Sequence, residues 1–252
     1  MRFIPRFEIA ILFLIGFSFS GCAVFSPQSA GTLDLEEHQL AGPPQPDPLS
    51  FQPLQGSQEE VLAEHAIERS SVIVQETSTL QGNPAILSQG ERKDLLAVLF
   101  TAEQGQPEQT VKVMKGDNSI FETKAGLPSP VLPLQGLWTY GGHWALEILL
   151  ADQDTWAGEI FIDGDLVNEL KGYEEAFGLQ LLAGKPFFFF RRNGHVGYSY
   201  DGQEVEFEYS EVPHYRCCGE SSLNPVHADN MVAFFAEQEG KWFYIELGDF
   251  DR

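Results

Sequence analysis

The sequence predicts a mainly β fold, in which antiparallel sheets form a sandwich or an incomplete propeller-like arrangement with two or three short helices. Short segments of apolar or alternating residues recur along the chain, which is typical of strands. Asn-Gly and Asp-Gly dipeptides separate several of these segments and favour tight hairpin turns. Apolar residues make up 43% of the 252 residues and charged residues 21%, a balance typical of a packed domain rather than a disordered chain.

The first predicted element is an N-terminal signal segment over residues 1–21. Arg2 and Arg6 precede an apolar run over residues 9–20. A basic start, a short apolar run and small residues at the cleavage site are typical of secretory signals. The run is shorter than the roughly 20 residues that a transmembrane helix needs, so we interpret it as a signal peptide.

The tetrapeptide FSGC at residues 19–22 resembles the lipobox of bacterial lipoprotein precursors. This resemblance implies that residues 1–21 are removed and that Cys22 becomes the first mature residue and carries lipid. It further implies an extracytoplasmic protein, anchored to a membrane of the bacterial cell envelope through its N-terminal lipid. Several acyl chains, at about 0.8 kcal/mol per buried CH₂, would give stable anchoring.

The second predicted element is a Pro-rich tether over residues 22–56, whose centre reads AGPPQPDPLSFQPLQG. Proline at this density stops helices and sheets from propagating. We therefore expect a disordered or polyproline-like segment that reaches on the order of 90 Å, at about 3.1 Å per residue. An ordered loop packed on the body is the alternative.

The charge of the chain excludes one class of partner. The sequence has 15 Lys plus Arg against 37 Asp plus Glu, a net charge of −22. Removal of residues 1–21 leaves 13 basic and 36 acidic residues, a net charge of −23. Nucleic-acid binders need clustered Lys and Arg, so we expect no nucleic-acid partner. An anionic membrane surface would repel the body.

The third predicted element is a single β-rich domain over residues 57–252. Ser57 and Glu60 form a capping box that predicts a helix over about 58–69. Strand patterns follow at 72–77, 95–103, 111–117 and 119–124. Three prolines near 127–135 mark a possible sub-boundary within the domain.

The clearest pattern is a three-strand meander over 187–192, 195–200 and 203–209, joined by Asn-Gly and Asp-Gly turns. Phe187–Phe190 is apolar at every position, so we expect this segment inside a sheet with both faces covered.

The end of the domain predicts a helix and a final strand. Asn224 is a suitable helix cap, Pro225 suits the first helical position, and apolar residues follow. The segment 242–247 reads as the final strand. Three stretches share a Gly before an apolar strand, namely GGHWALEI, AGKPFFFF and EGKWFYIE. A repeat of blade-like units and independent hairpins both account for this similarity.

The adjacent residues Cys217 and Cys218 are the candidate site of this sequence. An oxidising compartment favours a vicinal disulfide between them, although adjacent cysteines close a strained ring. Two free buried thiols are the second interpretation. A metal site formed by His214, Cys217, Cys218 and His227 is the third, because these side chains suit zinc.

The sequence indicates no molecular activity directly. We find no phosphate-binding loop or nucleophile elbow, assign no catalytic residue and expect no cofactor. The body is similar only to uncharacterised exported β-rich bacterial proteins, which implies no activity. We expect a non-enzymatic binding or scaffold module with a protein or small-molecule partner in the envelope. A carboxylate- or metal-dependent hydrolase using residues such as Glu174 and Glu175 is the alternative, and a redox or metal sensor is a weaker third.

Overall fold

The structure is a computed structural model that describes residues 33–45, 58–101, 108–152, 155–215, 221 and 224–250. Within these residues the chain folds into four β-sheets and two short helices. This confirms the prediction of a mainly β protein with antiparallel sheets.

The described chain begins with a strand and a helix that both pack with the C-terminal strands of the chain. Strand β1 (Asp34–Gln39) pairs antiparallel with a strand near the C-terminus, and helix α1 (Gln58–Arg69) follows. The helix confirms the prediction over residues 58–69, whereas the capping residue Ser57 lies outside the described residues. The prediction of a continuous tether over 22–56 is wrong for residues 34–39, because their backbone hydrogen bonds complete a sheet.

The first sheet is a meander that follows α1. The strands in chain order are β2 (Thr77–Leu80), β3 (Asn83–Leu87), β4 (Gln89–Gly90), β5 (Leu95–Phe100), β6 (Thr110–Lys115) and β7 (Asn118–Lys124). All except β4 form the first sheet, in the order β2-β3-β5-β6-β7. The strand predicted at 72–77 is wrong: Val72 makes an isolated bridge to Ala228, and the strand begins only at Thr77.

The second and third sheets follow in chain order. The next elements are β8 (Leu134–Tyr140), β9 (His143–Asp152), β10 (Thr155–Ile162), β11 (Asp165–Leu166), α2 (Val167–Lys171), β12 (Glu175–Leu182), β13 (Lys185–Arg192), β14 (His195–Tyr200) and β15 (Gln203–Glu206). The second sheet has the order β11-β10-β9-β8-β4, with β4 parallel to β8, and the third has the order β12-β13-β14-β15. The chain near 127–135 connects the first sheet to the second.

The fourth sheet joins the two ends of the described chain. Strands β16 (Val226–His227), β17 (Met231–Gln238) and β18 (Lys241–Gly248) form it together with β1, in the order β1-β18-β17-β16. The predicted helix after Asn224 is therefore wrong. Residues 231–238 pair with strands on both sides and are buried on both faces at most positions, a setting in which an apolar run forms a strand.

The predicted meander is confirmed in the third sheet. Asn193-Gly194 and Asp201-Gly202 have φ angles of 53° and 76°, and of 51° and 77°, which are the left-handed values of a tight turn. The hairpins before β9, β13 and β18 contain the three similar stretches of sequence, and each turns at a Gly with positive φ.

The four sheets pack face to face in series, each against the next. One hydrophobic cluster joins the first sheet to the second, another the second to the third, and another the third to the fourth. Strand β13 shows this best, because Phe187 and Phe189 face the fourth sheet while Phe188 and Phe190 face the second. With four sheets packed in series, the arrangement differs from a two-sheet sandwich.

Helix α1 covers the outer face of the fourth sheet. Ala66 is buried there against β17 and β18, and Arg69 donates to the buried carboxylate of Glu246 at 2.5 Å and to Glu36 of β1 at 2.7 Å. His65 and Tyr244 also contact Glu246, at 3.1 and 2.7 Å. Neither helix in the described part of the chain is long and apolar enough to cross a bilayer.

Candidate functional site

A cavity of about 270 Å³ lies where the second, third and fourth sheets converge. Strands β8 and β9 of the second sheet, β12 of the third and β16 of the fourth contribute to its wall, together with the loop that follows β15. The residues that line it include Glu147, Phe177, His214, Tyr215, Asn224 and His227. Cavities lined by apolar side chains and a few polar groups are the usual ligand sites of proteins, so we treat this one as the candidate site.

Glu147 is a buried carboxylate that connects the second sheet to the third. The pairing of β12 with β13 shifts register between Phe177 and Gln180, and this bulge turns two backbone N–H groups outward. Gly178 and Leu179 donate them to Glu147 at 2.9 and 2.6 Å. Bulges often redirect groups toward functional sites in this way.

The hydroxyl of Tyr215 is the third donor to Glu147. Burial raises the pKa of Glu147 above its usual value, although these three donors and the nearby His214 oppose that effect. Burial and the adjacent carboxylate also raise the pKa of Tyr215 well above its usual value. Tyr215 therefore stays a neutral phenol that donates to Glu147.

His214 has protein acceptors at both ring nitrogens. Nδ1 lies 2.6 Å from the carbonyl oxygen of Val212, and Nε2 lies 3.0 Å from Oε1 of Glu175. A carbonyl and an ionised carboxylate only accept hydrogen bonds, so both ring nitrogens face hydrogen-bond acceptors. The imidazole stacks on the ring of Phe177, with centroids 3.4 Å apart and an interplanar angle of 2°.

Glu175 is held in its ionised form by its neighbours. Burial raises the pKa of this carboxyl, but the hydrogen bond and charge of His214 lower it, and the Gly158 N–H at 3.2 Å and Arg191 at 3.7 Å add to that effect. The net result is a lowered pKa. His214 and Glu175 thus form a hydrogen-bonded pair beside the cavity.

The opposite wall comes from the start of the fourth sheet. The side-chain amide of Asn224 donates to the carbonyl of Phe235 at 2.7 Å and accepts from its N–H at 2.6 Å, which fixes this segment on β17. His227 follows in β16, and burial lowers its pKa to about 4, so the imidazole is neutral near pH 7. Its ring has no hydrogen-bond partner among the described residues.

The structure brings together part of the predicted metal site. His214 and His227 line the same cavity, although both nitrogens of His214 already contact protein acceptors. Cys217 and Cys218 lie outside the described residues, so the disulfide, the free thiols and the metal site stay predictions. Within the described ranges, no three His, Cys, Asp or Glu side chains are grouped as a metal site would require. Cys22 also lies outside the described residues, and its lipidation stays a prediction.

The two carboxylates named for a hydrolase have different environments. Glu175 belongs to the network beside the cavity, whereas Glu174 is exposed and accepts the Gly194 N–H at 3.4 Å. Sequence reasoning missed Glu147 and Tyr215. The available signal was Glu147 itself, a charged residue in the middle of the long apolar strand HWALEILLAD, where burial of a carboxylate requires donors.

Comparison with known proteins adds no relative to this description. Neither a scan against protein-family models nor a search of curated proteins gave a match.

Proposed function

We propose that this protein is a bacterial envelope lipoprotein whose β body is a non-enzymatic binding module. Lipid on Cys22 anchors it outside the cytoplasm, and residues 23–33, which precede β1, separate the body from the membrane. The lipobox-like end of the signal segment supports the anchor.

One observation supports the binding role: the polar groups around the cavity already have hydrogen-bond partners within the protein. Glu147 accepts three hydrogen bonds, and His214 is fixed at both ring nitrogens. Groups held in this way keep the cavity open and shaped for a ligand, because their hydrogen bonds fix their positions. They are poorly placed to exchange protons or attack a substrate, since their reactive atoms are already engaged.

A search for the natural ligand tests this role. The full-length lipidated protein in detergent is incubated with the small-molecule and protein fractions of an envelope extract, and its melting temperature is measured with each. We expect a rise with at least one fraction. In Val131→Phe, which fills part of the cavity, that rise should disappear. Val74→Phe, at a side chain that is 77% exposed, is the matched control and should keep it. No rise with either fraction would refute the binding role.

The anchor has a separate test. Mass spectrometry of the N-terminal peptide should show acyl chains on Cys22, and Cys22→Ser should lose both this mass and membrane association. Ser26→Ala, four residues further along, is the control and should keep both. An unmodified Cys22 in membrane-associated protein would refute the lipoprotein assignment.

A hydrolase is the second candidate, and one observation favours it. Glu147 has a raised pKa and Glu175 a lowered pKa beside the same cavity, and carboxylates whose pKa values are pushed apart can serve as acid and base. Hydrolysis of ester, peptide or glycoside substrates by the purified protein, lost in Glu147→Gln, would support this candidate. An equal rate in Glu147→Gln would exclude this mechanism.

A further inference from the structure

We infer that the open edge of β1 binds an extended basic segment of a partner protein, which adds to the fourth sheet as a further strand. Addition of a strand to an exposed sheet edge is a recurring mode of peptide recognition. The edge lies apart from the cavity, because the cavity wall includes β16, at the opposite side of the same sheet. It is therefore a second binding surface, beyond the one in the proposed function.

The backbone of β1 presents unpaired hydrogen-bonding groups along this edge. Leu40, which follows β1, donates its N–H to the carbonyl of Trp242 in β18 at 2.8 Å. The backbone groups of alternate residues point toward the partner strand in an antiparallel pair, so the even-numbered residues of β1 also face β18. The N–H and C=O groups of Leu35, Glu37 and Gln39 point away from β18, and they have no hydrogen-bond partner among the described residues.

Exposure and regularity distinguish β1 from the other sheet edges of the described structure. All six of its residues are exposed, and its register has no bulge. β4, β11 and β16 have two residues each, β2 and β15 have four each, and β12 is buried at every position after its first. β7 is longer, but a bulge interrupts its register, and its Glu122 and Lys124 already form ion pairs. Because proteins usually shorten, bulge or cover such edges, the open edge of β1 indicates a binding surface.

The charges of β1 select the partner. Asp34 and Glu36 lie on the face that carries α1, and Glu37 lies on the opposite face, so both faces are acidic. Arg69 contacts Glu36 at 2.7 Å but also pairs with the buried Glu246, so the edge keeps a negative charge. Lys or Arg at alternate positions of an added strand would lie opposite these carboxylates, and opposite charges across neighbouring strands are stabilising.

A second copy of β1 fits this edge less well than a basic segment. Two such edges could pair antiparallel around a two-fold axis through their outward backbone groups. The two registers with the greatest overlap place either Glu36 or Glu37 opposite the same residue of the other copy. Like charges directly opposite each other are destabilising, so the acidic residues of β1 disfavour self-pairing and favour a basic partner.

Peptide probes test strand addition. The probe is a fluorescein-labelled peptide of alternating Thr and Lys, as long as β1, and its binding to the full-length lipidated protein in neutral detergent is followed by fluorescence anisotropy at low salt. Lysines opposite Asp34 and Glu36 leave the Thr N–H groups facing β1. N-methylation of the Thr nitrogens should weaken binding at least about fivefold, because these donors are lost. N-methylation of the Lys nitrogens should leave the affinity unchanged, and a peptide of alternating Thr and Glu should not bind.

Variants of β1 locate the binding edge. Gln39→Pro removes an outward N–H and keeps the bonds to β18, because proline is tolerated where the N–H of an edge strand faces solvent. The Thr–Lys peptide should then bind about fivefold more weakly, whereas Gln39→Ala should bind it like the wild type. Asp34→Asn should weaken binding about two- to fivefold. Asp117→Asn, in the exposed turn between β6 and β7, is the matched control and should have no effect.

Four outcomes would overturn the inference. They are no binding of the Thr–Lys peptide, equal binding of the two methylated peptides, unchanged binding in folded Gln39→Pro, and equal or tighter binding of the Thr–Glu peptide. Dimerisation of the wild type that Gln39→Pro abolishes, measured by sedimentation, would assign the edge to a second copy and also refute it. If Gln39→Pro does not fold, the two methylated peptides decide the question with the wild-type protein. Unchanged peptide binding in Val131→Phe would support an edge site separate from the cavity.

Discussion

Replacement of Arg69 by Met should destabilise the fourth sheet, because the buried carboxylate of Glu246 would lose its cationic partner. Arg69 donates to Glu246 at 2.5 Å, and the Glu246 side chain is 0% exposed. Methionine preserves much of the length and apolar surface of Arg69 but supplies no donor. Glu246 would then be a buried carboxylate with His65 and Tyr244 as its remaining side-chain partners in the described structure.

The expected magnitude follows from this geometry. Removal of one partner of a buried ion pair costs about 3–5 kcal/mol. His65 and Tyr244 still contact Glu246, so we expect the lower end, about 3 kcal/mol in the free energy of unfolding. For a domain of this size, 1 kcal/mol corresponds to about 2–4 °C, which predicts a melting temperature lower by about 6–12 °C.

Thermal and urea unfolding, followed by circular dichroism, measure the effect. The double variant Arg69→Met/Glu246→Gln removes both charges and should recover at least half of the loss, because no buried charge remains. Lys93→Met is the matched control: Lys93 pairs with Glu76 at 3.1 Å, and both side chains are more than half exposed, so the loss should be about 1 kcal/mol or less. A loss for Arg69→Met no larger than this control, or a double variant no more stable than the single one, would refute the reasoning.

Three further predictions concern the neighbourhood of the cavity. The pKa of Glu175 is lower in the folded protein than its usual value of 4.5. The ionised carboxylate therefore stabilises the fold above pH 4.5, and this stabilisation is lost as the pH falls through the lower folded value. Below pH 4.5, the free energy of unfolding in urea should depend less on pH in Glu175→Gln than in the wild type. Gly178→Ala should cost about 1–3 kcal/mol in urea unfolding, because φ is +68° and the new Cβ would lie 3.0 Å from the Phe189 ring. Asn224→Leu should cost about 2–4 kcal/mol in the same measurement, because both backbone groups of Phe235 lose a side-chain partner.

Each of these predictions has its own contrary result. A parallel loss of stability in wild type and Glu175→Gln between pH 5 and about 3 would contradict the role given to Glu175. Gly116→Ala measures the cost of the backbone conformation alone, because φ is +58° and no atom lies within 4 Å of the new Cβ. An equal loss of stability in Gly116→Ala and Gly178→Ala would contradict the predicted cost of the contact with Phe189. For Asn224, a variant as stable as the wild type would show that the Phe235 backbone does not depend on this amide.

Local chemistry allowed the sequence to predict the three-strand meander of the third sheet, from β13 to β15. Asn193-Gly194 and Asp201-Gly202 each adopt the left-handed turn that their residue types favour, and neighbouring strands can then pair without information from distant residues. The run at 231–238 was harder, because a continuous apolar segment fits a buried strand and a buried helix equally well. The segment is a strand because it pairs with β18 and β16. These contacts with other segments cannot be predicted from the sequence of 231–238 alone.

Strand β1 shows why a Pro-rich region was misjudged. All six of its residues are exposed, so no hydrophobic pattern indicates a strand, and its partner β18 lies near the other end of the described chain. The candidate site depends on distant contacts in the same way. Glu147 becomes informative only when the bulge in β12 supplies its N–H donors, and neither its position nor that of Tyr215 is encoded by local spacing.

The pairing of β1 with β18 has a consequence for the order of events during biosynthesis. A sheet that combines the first and the last described strands cannot form until almost the whole chain is available. During passage through a membrane from its N-terminus, as the proposed export requires, β1 would emerge long before its partner. Completion of the fourth sheet would then be the closing step of folding, delayed until the chain has left the channel.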